Sequence, residues 1–466
     1  MQMLSRYVGA LMFGAALVAA CTTETTTSAL STSADTTTEA ITFNKQVAPL
    51  LQQQCQVCHR DGGQAPMALQ TYAQAKRWKN AIKSDVVSGN MPHARPVRIN
   101  TGCSTADTFL GPRRLTTEEI DTFSKWVDQG AVEGDPADLP PPVTFHDPAP
   151  GEWLTGTPDL DLVNTPGGFN IPAHVPRDIF RRIPFQTNYD ADKYITSIEG
   201  HPDNGAWSGT AGSFPIVHHM ELWIDASGKS LQQEAAYQAA NPDIPGPGFE
   251  GEWDFPETPL LLGMWIPGTS PPPLPPGFGY KLPKGAVLVV EMHYAGDRDN
   301  AMPINDQSHW GIHFASAPVK PFSSLVVRNE TFDVPANVDG TTAEYSYTFD
   351  HDVFLRAITP HMHQLGRDYL LTVEQPNVAP RCLADVQWDF EHQDSHFLRK
   401  PQKLLAGTAL HWKCIYDNTA TSPRQFNVPP ADVKSGRTSR DEMCQLTMHW
   451  SDEEFGAPVP APTTAH

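Results

Sequence analysis

The segment 134–158 constrains the fold of this chain more than any other. It holds Pro136, Pro140, Pro141, Pro142, Pro148, Pro150 and Pro158. Proline fixes φ and removes a backbone donor, so such a stretch continues neither a helix nor a sheet interior. It reads as a semi-rigid linker, and it divides a helical pattern before it from a strand pattern after it.

Before the linker, Phe43, Val47, Leu50 and Leu51 recur at helical spacing. Tyr72–Val87 is a second helical stretch. Thr117–Gln129 is a third, with Ile120, Phe123 and Val127 on one face, Trp126 beside them, and Gly130 as its stop. After the linker come short apolar runs punctuated by Gly and Pro: Tyr194–Ile198, Ile216–Ile224, Val287–Met292 and Gly311–Phe314. These read as antiparallel strands, and a second β-rich segment runs from Ser323 to Trp450. Of 466 residues only 18% are charged, while 44 are proline, a balance that favours sandwiches over bundles. The expected fold is multidomain, a small all-α domain followed by two all-β sandwiches. The expected boundaries are 40–135, 136–165 for the linker, 166–320, 321–455, and a disordered tail 456–466. The net charge of −20 argues against nucleic acid as a partner.

Residues 1–21 read as an export signal. Arg6 supplies the positive region, Tyr7–Ala20 is apolar and small, and Leu17-Val18-Ala19-Ala20-Cys21 resembles a bacterial lipobox. Lipidation at Cys21 would leave a membrane-anchored lipoprotein, periplasmic or at the cell surface. Ordinary cleavage near Ala20 would release it. The Thr/Ser-rich stretch 22–39 reads as a flexible tether. Export permits disulfides. Cys414 and Cys444 are candidates, and whether Cys103 and Cys382 pair is not legible.

Cys55-Gln56-Val57-Cys58-His59 is the C-x-x-C-H signature of covalent c-type haem. Two thiols add to the haem vinyl groups, and His59 is placed to ligate the iron. A redox pair would need a βαβ context, and a zinc site a second ligand pair nearby. The sixth iron ligand is Met91 or Met67. In small cytochromes resembling this segment, a methionine in a turn like Gly89-Asn90-Met91-Pro92 is the usual ligand, which favours Met91. The 40–135 domain is thus expected to be cytochrome c-like.

Three histidine groups mark the β-rich part. Pro360-His361-Met362-His363-Gln364 follows a strand-like run, and alternation points His361 and His363 the same way. Such a pair suits zinc, copper, iron or nickel equally. His218 and His219 are adjacent, so a strand would send them to opposite faces. Joint ligation requires a local bend or different ring nitrogens. His293 ends the run Val287–Tyr294.

These groups, with Cys414-Ile415-Tyr416-Asp417-Asn418 and Asp441-Glu442-Met443-Cys444, occur in an order that resembles the copper type II, ascorbate-dependent monooxygenases over residues 166–455. The resemblance implies two jelly-roll-like sandwiches holding one copper each. It implies His218, His219 and His293 at one copper, and His361, His363 and Met443 at the other, where O2 reacts. It also implies a Cys414–Cys444 disulfide, whereas residues 166–320 contain no cysteine to match the first-domain disulfides of animal members. The implied activity is hydroxylation of a C–H bond of a small organic substrate with O2. Its electrons would come from an ascorbate-like donor or a redox protein, relayed through the fused haem to the three-histidine copper. The peptide-specific member carries an arginine and a tyrosine where this chain has Thr359 and Thr447, so a peptide carboxylate is not the expected handle. A different class of reading is a haem and copper electron-transfer lipoprotein that hydroxylates nothing. A carrier needs only one site, and six ligands are present.

Overall fold

Phe43, Val47, Leu50 and Leu51 are all buried, and with Phe123 and Trp126 they form the core of the helical part. A wide turn at Phe43–Val47 leads into the helix Ala48–Gln54. Tyr72–Ser88 starts at a capping box formed by Thr71 and Gln74 and ends at Gly89, whose φ of 79° suits a residue without Cβ. Thr117–Asp128 has its own capping box, Thr116 with Glu119. Trp126 is wedged between Phe123 at 5.3 Å, edge to face, and Phe43 at 6.1 Å. The N–H groups of Phe43 and Asn44 donate to the carbonyls of Val132 and Glu133, closing the bundle.

This computed structural model describes residues 40–61, 65, 67–92, 97–98, 102–104, 108–110, 115–144, 152–163, 168–173, 178–202, 217–244, 246–251, 253, 259–266, 271–294, 303–390, 393–437 and 440–456. The signal, the lipid site Cys21, the tether 22–39 and all but the first residue of the tail lie outside the described residues. No described helix is long and apolar enough to cross a membrane.

The rest is mostly β-sheet. A five-stranded sheet runs in the order Phe249–Glu250, Ile179–Gln186, Val287–Tyr294, Val217–Asp225, Leu260–Trp265. Its two central histidine-bearing strands are buried along their whole length, including the polar His218, His219, Glu221, Asp225, Glu291 and His293. A four-stranded sheet runs Asp339–Thr348, Ala409–Asp417, Gly366–Glu374, Arg381–Gln387. Here Ala409–Asp417 alternates buried and half-buried residues, as a one-sided strand should.

Both sheets pack on one eight-stranded sheet: Leu160–Val163, His309–Phe314, Lys193–His201, Phe278–Leu282, Lys320–Asn329, Cys444–Ser451, Val353–His361, His396–Leu404. Lys320–Asn329 is the seam. Its first three residues pair parallel with Phe278–Tyr280, and Ser323–Asn329 then pair antiparallel with Cys444–Trp450. Two separate apolar cores lie on either side of that strand.

Two details differ from expectation. Leu160–Val163 is an edge strand paired with His309–Phe314, although it falls within the expected linker. The preceding Trp153-Leu154-Thr155 is anchored as well. Glu199 accepts the N–H groups of Leu154 and Thr155, both at 2.9 Å, and Trp153 stacks on His201 at 4.2 Å. Gly311 makes room for Trp153, since a Cβ there would meet the ring at 2.5 Å.

The second detail is a strap, described at residues 97–98, 102–104 and 108–110, that lies on the C-terminal sandwich. Val97 bridges to Val386, and Phe109 to Leu398. Arg98 pairs with Asp385 and Asp368. Cys103 is disulfide-bonded to Cys382, 279 residues away. The Phe109 ring lies 5.7 Å from that of His396.

Candidate metal centres

The Val217–Asp225 strand runs beside Val287–Tyr294, and its register shifts between Val217 and His219. That bulge is the local bend that adjacent histidines need in order to face one point. His218 Nδ1 lies 3.0 Å from His293 Nδ1, which lies 3.3 Å from His219 Nδ1. The three rings thus converge through the same nitrogen. Among the described residues this is the group of metal-ligating His, Cys and acidic side chains whose donor atoms all fall within 4.8 Å of one another.

The far edges of two rings face carboxylates. Asp178 Oδ2 is 3.3 Å from His293 Nε2, and Glu221 Oε1 is 3.9 Å from His219 Nε2. A proton on Nε2 leaves the Nδ1 lone pair free for a metal. Phe180 stacks on His293 at 4.1 Å and fixes its plane. Burial drives His219 well below the ordinary imidazole range, with repulsion from His293, His218 and His361 adding to it.

That second group is assembled at a strand end. The strand Val353–His361 stops at His361, so His363 lies in the following turn rather than in a strand. Strand alternation is therefore not what brings the two together. Their rings stand perpendicular with centroids 5.1 Å apart, while Met362 between them is fully buried in the core. His361 Nδ1 donates to Gln393 Oε1 at 2.8 Å, and His363 Nδ1 to the carbonyl of Asp441 at 3.1 Å. Both rings thus keep Nε2 for a ligand, the opposite choice from the first group. His361 falls to about 3 through burial, then through repulsion from His363, against the pull of the Gln393 bond.

Met443 comes alongside because His361 pairs with Gln445 on the next strand. Its N–H and that of His363 both donate to Glu442 Oε2, at 3.3 and 3.0 Å. The other Glu442 oxygen accepts Leu365 N–H at 2.6 Å. Burial lifts the Glu442 carboxyl to about 8 even against these donors. Tyr416 O–H donates to the Met443 carbonyl at 2.9 Å, and the Cys414–Cys444 disulfide pins the next residue. Trp388 Nε1 donates to the His363 carbonyl at 2.9 Å.

Thr359 and Thr447 are direct register partners and both are buried. Thr359 Oγ1 is engaged by Ser395 Oγ at 2.7 Å. Neither presents a charge.

In the helical part, Cys55 and Cys58 are half-buried and belong to neither described disulfide pair. His59 Nδ1 donates to the Met67 carbonyl at 3.1 Å, which leaves Nε2 for an iron. Cys55, Met67 and Met91 all border the same helical core.

These donor sets suit the expected groups. Buried neutral imidazoles with converging lone pairs suit copper, a thioether suits Cu(I), and two thiols beside an oriented histidine suit covalent haem. Asp178, Glu221, Gln393 and the Asp441 carbonyl are the supporting residues that sequence reasoning missed. Asp178 and Gln393 lie in irregular segments without periodicity. Glu442 was visible within the Asp441–Cys444 stretch, but without a role.

No curated protein matches the chain. Among solved structures, a peptide-N(4)-(N-acetyl-β-D-glucosaminyl)asparagine amidase is 10% identical with a TM-score of 0.27, covering 64% of this chain and 98% of that one. PNGase F from Flavobacterium meningosepticum gives the same figures. Broad bean stain virus is 8% identical with a TM-score of 0.24, covering 66% and 97%. Residues 324–457, which hold His361, His363, Cys414, Met443 and Cys444, match the family model of the C-terminal domain of the copper type II ascorbate-dependent monooxygenases.

Proposed function

We propose that the chain is an exported copper monooxygenase that hydroxylates a C–H bond of a small organic substrate. The observation that carries this reading is the pairing of two unlike donor sets, three imidazoles through Nδ1 and two through Nε2, the latter with the Met443 main chain tied to that of His363 through Glu442. The second set lies in the span that matches the family. The overall change takes R–H, O2, two electrons and two protons to R–OH and water. Copper held by His218, His219 and His293, and by His361, His363 and Met443, would supply the one-electron redox chemistry and the site of O2 reduction.

The chain's own residues set the geometry. Gln393 holds a proton on the outward nitrogen of His361, and the Asp178 carboxylate, 3.3 Å from the outward nitrogen of His293, favours a proton there, so the inward nitrogens keep their lone pairs. Glu442 ties the main chain of His363 to that of Met443. Thr359 and Thr447 offer no cation to a substrate carboxylate.

A haem c on Cys55 and Cys58, ligated by His59 and Met91, would carry electrons one at a time from an ascorbate-like donor or a redox protein. The strap supports a relay within the chain, because it falls in sequence between two helices of the helical part and is bonded to a copper-bearing sandwich. Lipidation at Cys21 and a periplasmic or surface location complete the reading, and the Cys103–Cys382 and Cys414–Cys444 disulfides suit an oxidising compartment.

Metal analysis of the purified chain, combined with O2 uptake and product detection on a substrate panel, tests this. Two coppers and one iron per chain are expected, with O2 consumed in step with hydroxylated product. Copper and haem that cycle with no hydroxylated product would leave a non-hydroxylating electron carrier instead.

A further inference from the structure

Arg356 lies on the strand that carries His361, five residues before it, and is 1% exposed. Its Nη2 donates to the carbonyls of Pro272 and Pro273 in the first sandwich, at 2.8 and 2.9 Å. Its guanidinium lies over the rings of Phe322 at 5.7 Å and Phe397 at 5.4 Å. Nη1 has no hydrogen-bond partner.

Among the described residues no carboxylate is paired with this charge. The groups that feel it are Tyr280 and His449, which hydrogen-bond each other at 2.8 Å. Both are neutral near pH 7. Burial keeps the Tyr280 hydroxyl protonated and holds His449 at about 3. A full positive charge therefore sits between the sandwiches with no counter-charge among the described residues.

Arg356 borders a cavity of about 20 Å³, walled by Leu262, Pro272, Tyr280, Phe397 and Ser197. The Ser197 hydroxyl also has no partner. The space holds one small species. Water there could accept from Nη1 but could not neutralise it. A buried charge is normally paired, because Coulombic compensation is what offsets its lost hydration. An anion meets both needs, accepting from Nη1 and from the serine hydroxyl.

We propose that a single monovalent anion of the size of chloride binds in this cavity between Arg356 Nη1 and Ser197 Oγ. It fastens the two sandwiches at the base of the strand that ends in His361. This site uses none of the copper or haem ligands and stands apart from the proposed activity.

Two measurements on the full, metal-loaded chain decide it. Crystals grown with bromide in place of chloride should show an anomalous peak beside Arg356 Nη1. The melting temperature should rise by several degrees from gluconate to chloride at equal ionic strength, as expected for a ligand that binds only the folded state. The rise should shrink in Ser197→Ala and vanish in Arg356→Met. If Arg356→Met does not fold, Ser197→Ala and the bromide peak of the unaltered chain decide. Three outcomes overturn the proposal: water alone in the cavity, a bromide peak with no chloride effect on melting, or a chloride effect with no peak at Arg356.

Discussion

Glu442 accepts the backbone N–H of His363 at 3.0 Å, and the chain continues from it directly into Met443. One buried carboxylate thus sets the spacing between an imidazole and a thioether that are 80 residues apart in sequence. Above about pH 8, where the Glu442 carboxyl is ionised, Glu442→Gln keeps the volume but replaces one acceptor oxygen with an N–H donor, which opposes the N–H of His363 or Leu365. Copper affinity at the His361/His363/Met443 group should fall roughly 10- to 100-fold, the usual loss for an outer-shell partner. The three-histidine group should be unaffected. Competition titration with a Cu(I) chelator, read at both groups, checks this. Equal loss at both would mean general loosening instead.

The Cys103–Cys382 disulfide holds a segment that faces two ways. Cys382, Asp385 and Val386 touch the strap. Beyond them, Trp388 bonds the His363 carbonyl and Gln393 bonds His361. The double variant Cys103→Ser, Cys382→Ser should lower stability by about 2–4 kcal/mol. Amide exchange should quicken at residues 97–110 and 382–399, and stay slow in Val287–Tyr294. Unchanged exchange at 382–399 would show that Arg98 and the β-bridges suffice.

Acid should weaken this fold through buried imidazoles outside the proposed ligand sets. Burial holds His449 at about 3 and His396 at about 4. Unfolded, both titrate near 6.5, so between that value and the folded one the unfolded chain binds more protons. Stability is then full above about pH 6.5 and is lost as pH falls toward 4. Each group costs up to about 3 kcal/mol at pH 4. Melting curves from pH 7 to pH 4 should fall less steeply for His449→Gln than for the unaltered chain.

Local features of this fold were legible and non-local ones were not. The helix Tyr72–Ser88 matches the expected stretch Tyr72–Val87 to within one residue, and its cap, Thr71 with Gln74, lies in the same stretch. The bend at His218 could be stated as a requirement, but its place depends on the register against His293, which only tertiary pairing decides. His363 leaves its strand because Glu442, from another segment, takes the N–H groups of His363 and Leu365. Leu160–Val163 has too few apolar residues to announce a strand, and His309–Phe314 supplies the partner. The strap has no periodicity, and its partners lie some 280 residues away.

The choice of a sixth haem ligand rests on which side of His59 each methionine lies. His59 Nδ1 donates to the Met67 carbonyl, so the Met67 main chain is at the edge of the ring opposite Nε2. That backbone contact does not bring the Met67 side chain toward Nε2, so in the proposed haem site Met91 would be the residue to hold the iron with His59. Met91 borders the same core from the turn after the Tyr72–Ser88 helix, where its N–H is held by the Asp85 carbonyl at 3.1 Å. In the haem-loaded chain Met91→Ala should lower the reduction potential, because a thioether ligand raises it, and should convert a low-spin oxidised spectrum to high-spin. Met67→Ala should leave both unchanged, since its contact with His59 is through the backbone. Redox titration followed by absorption spectroscopy reads both quantities, and a potential that drops in Met67→Ala while Met91→Ala is silent would reverse the assignment.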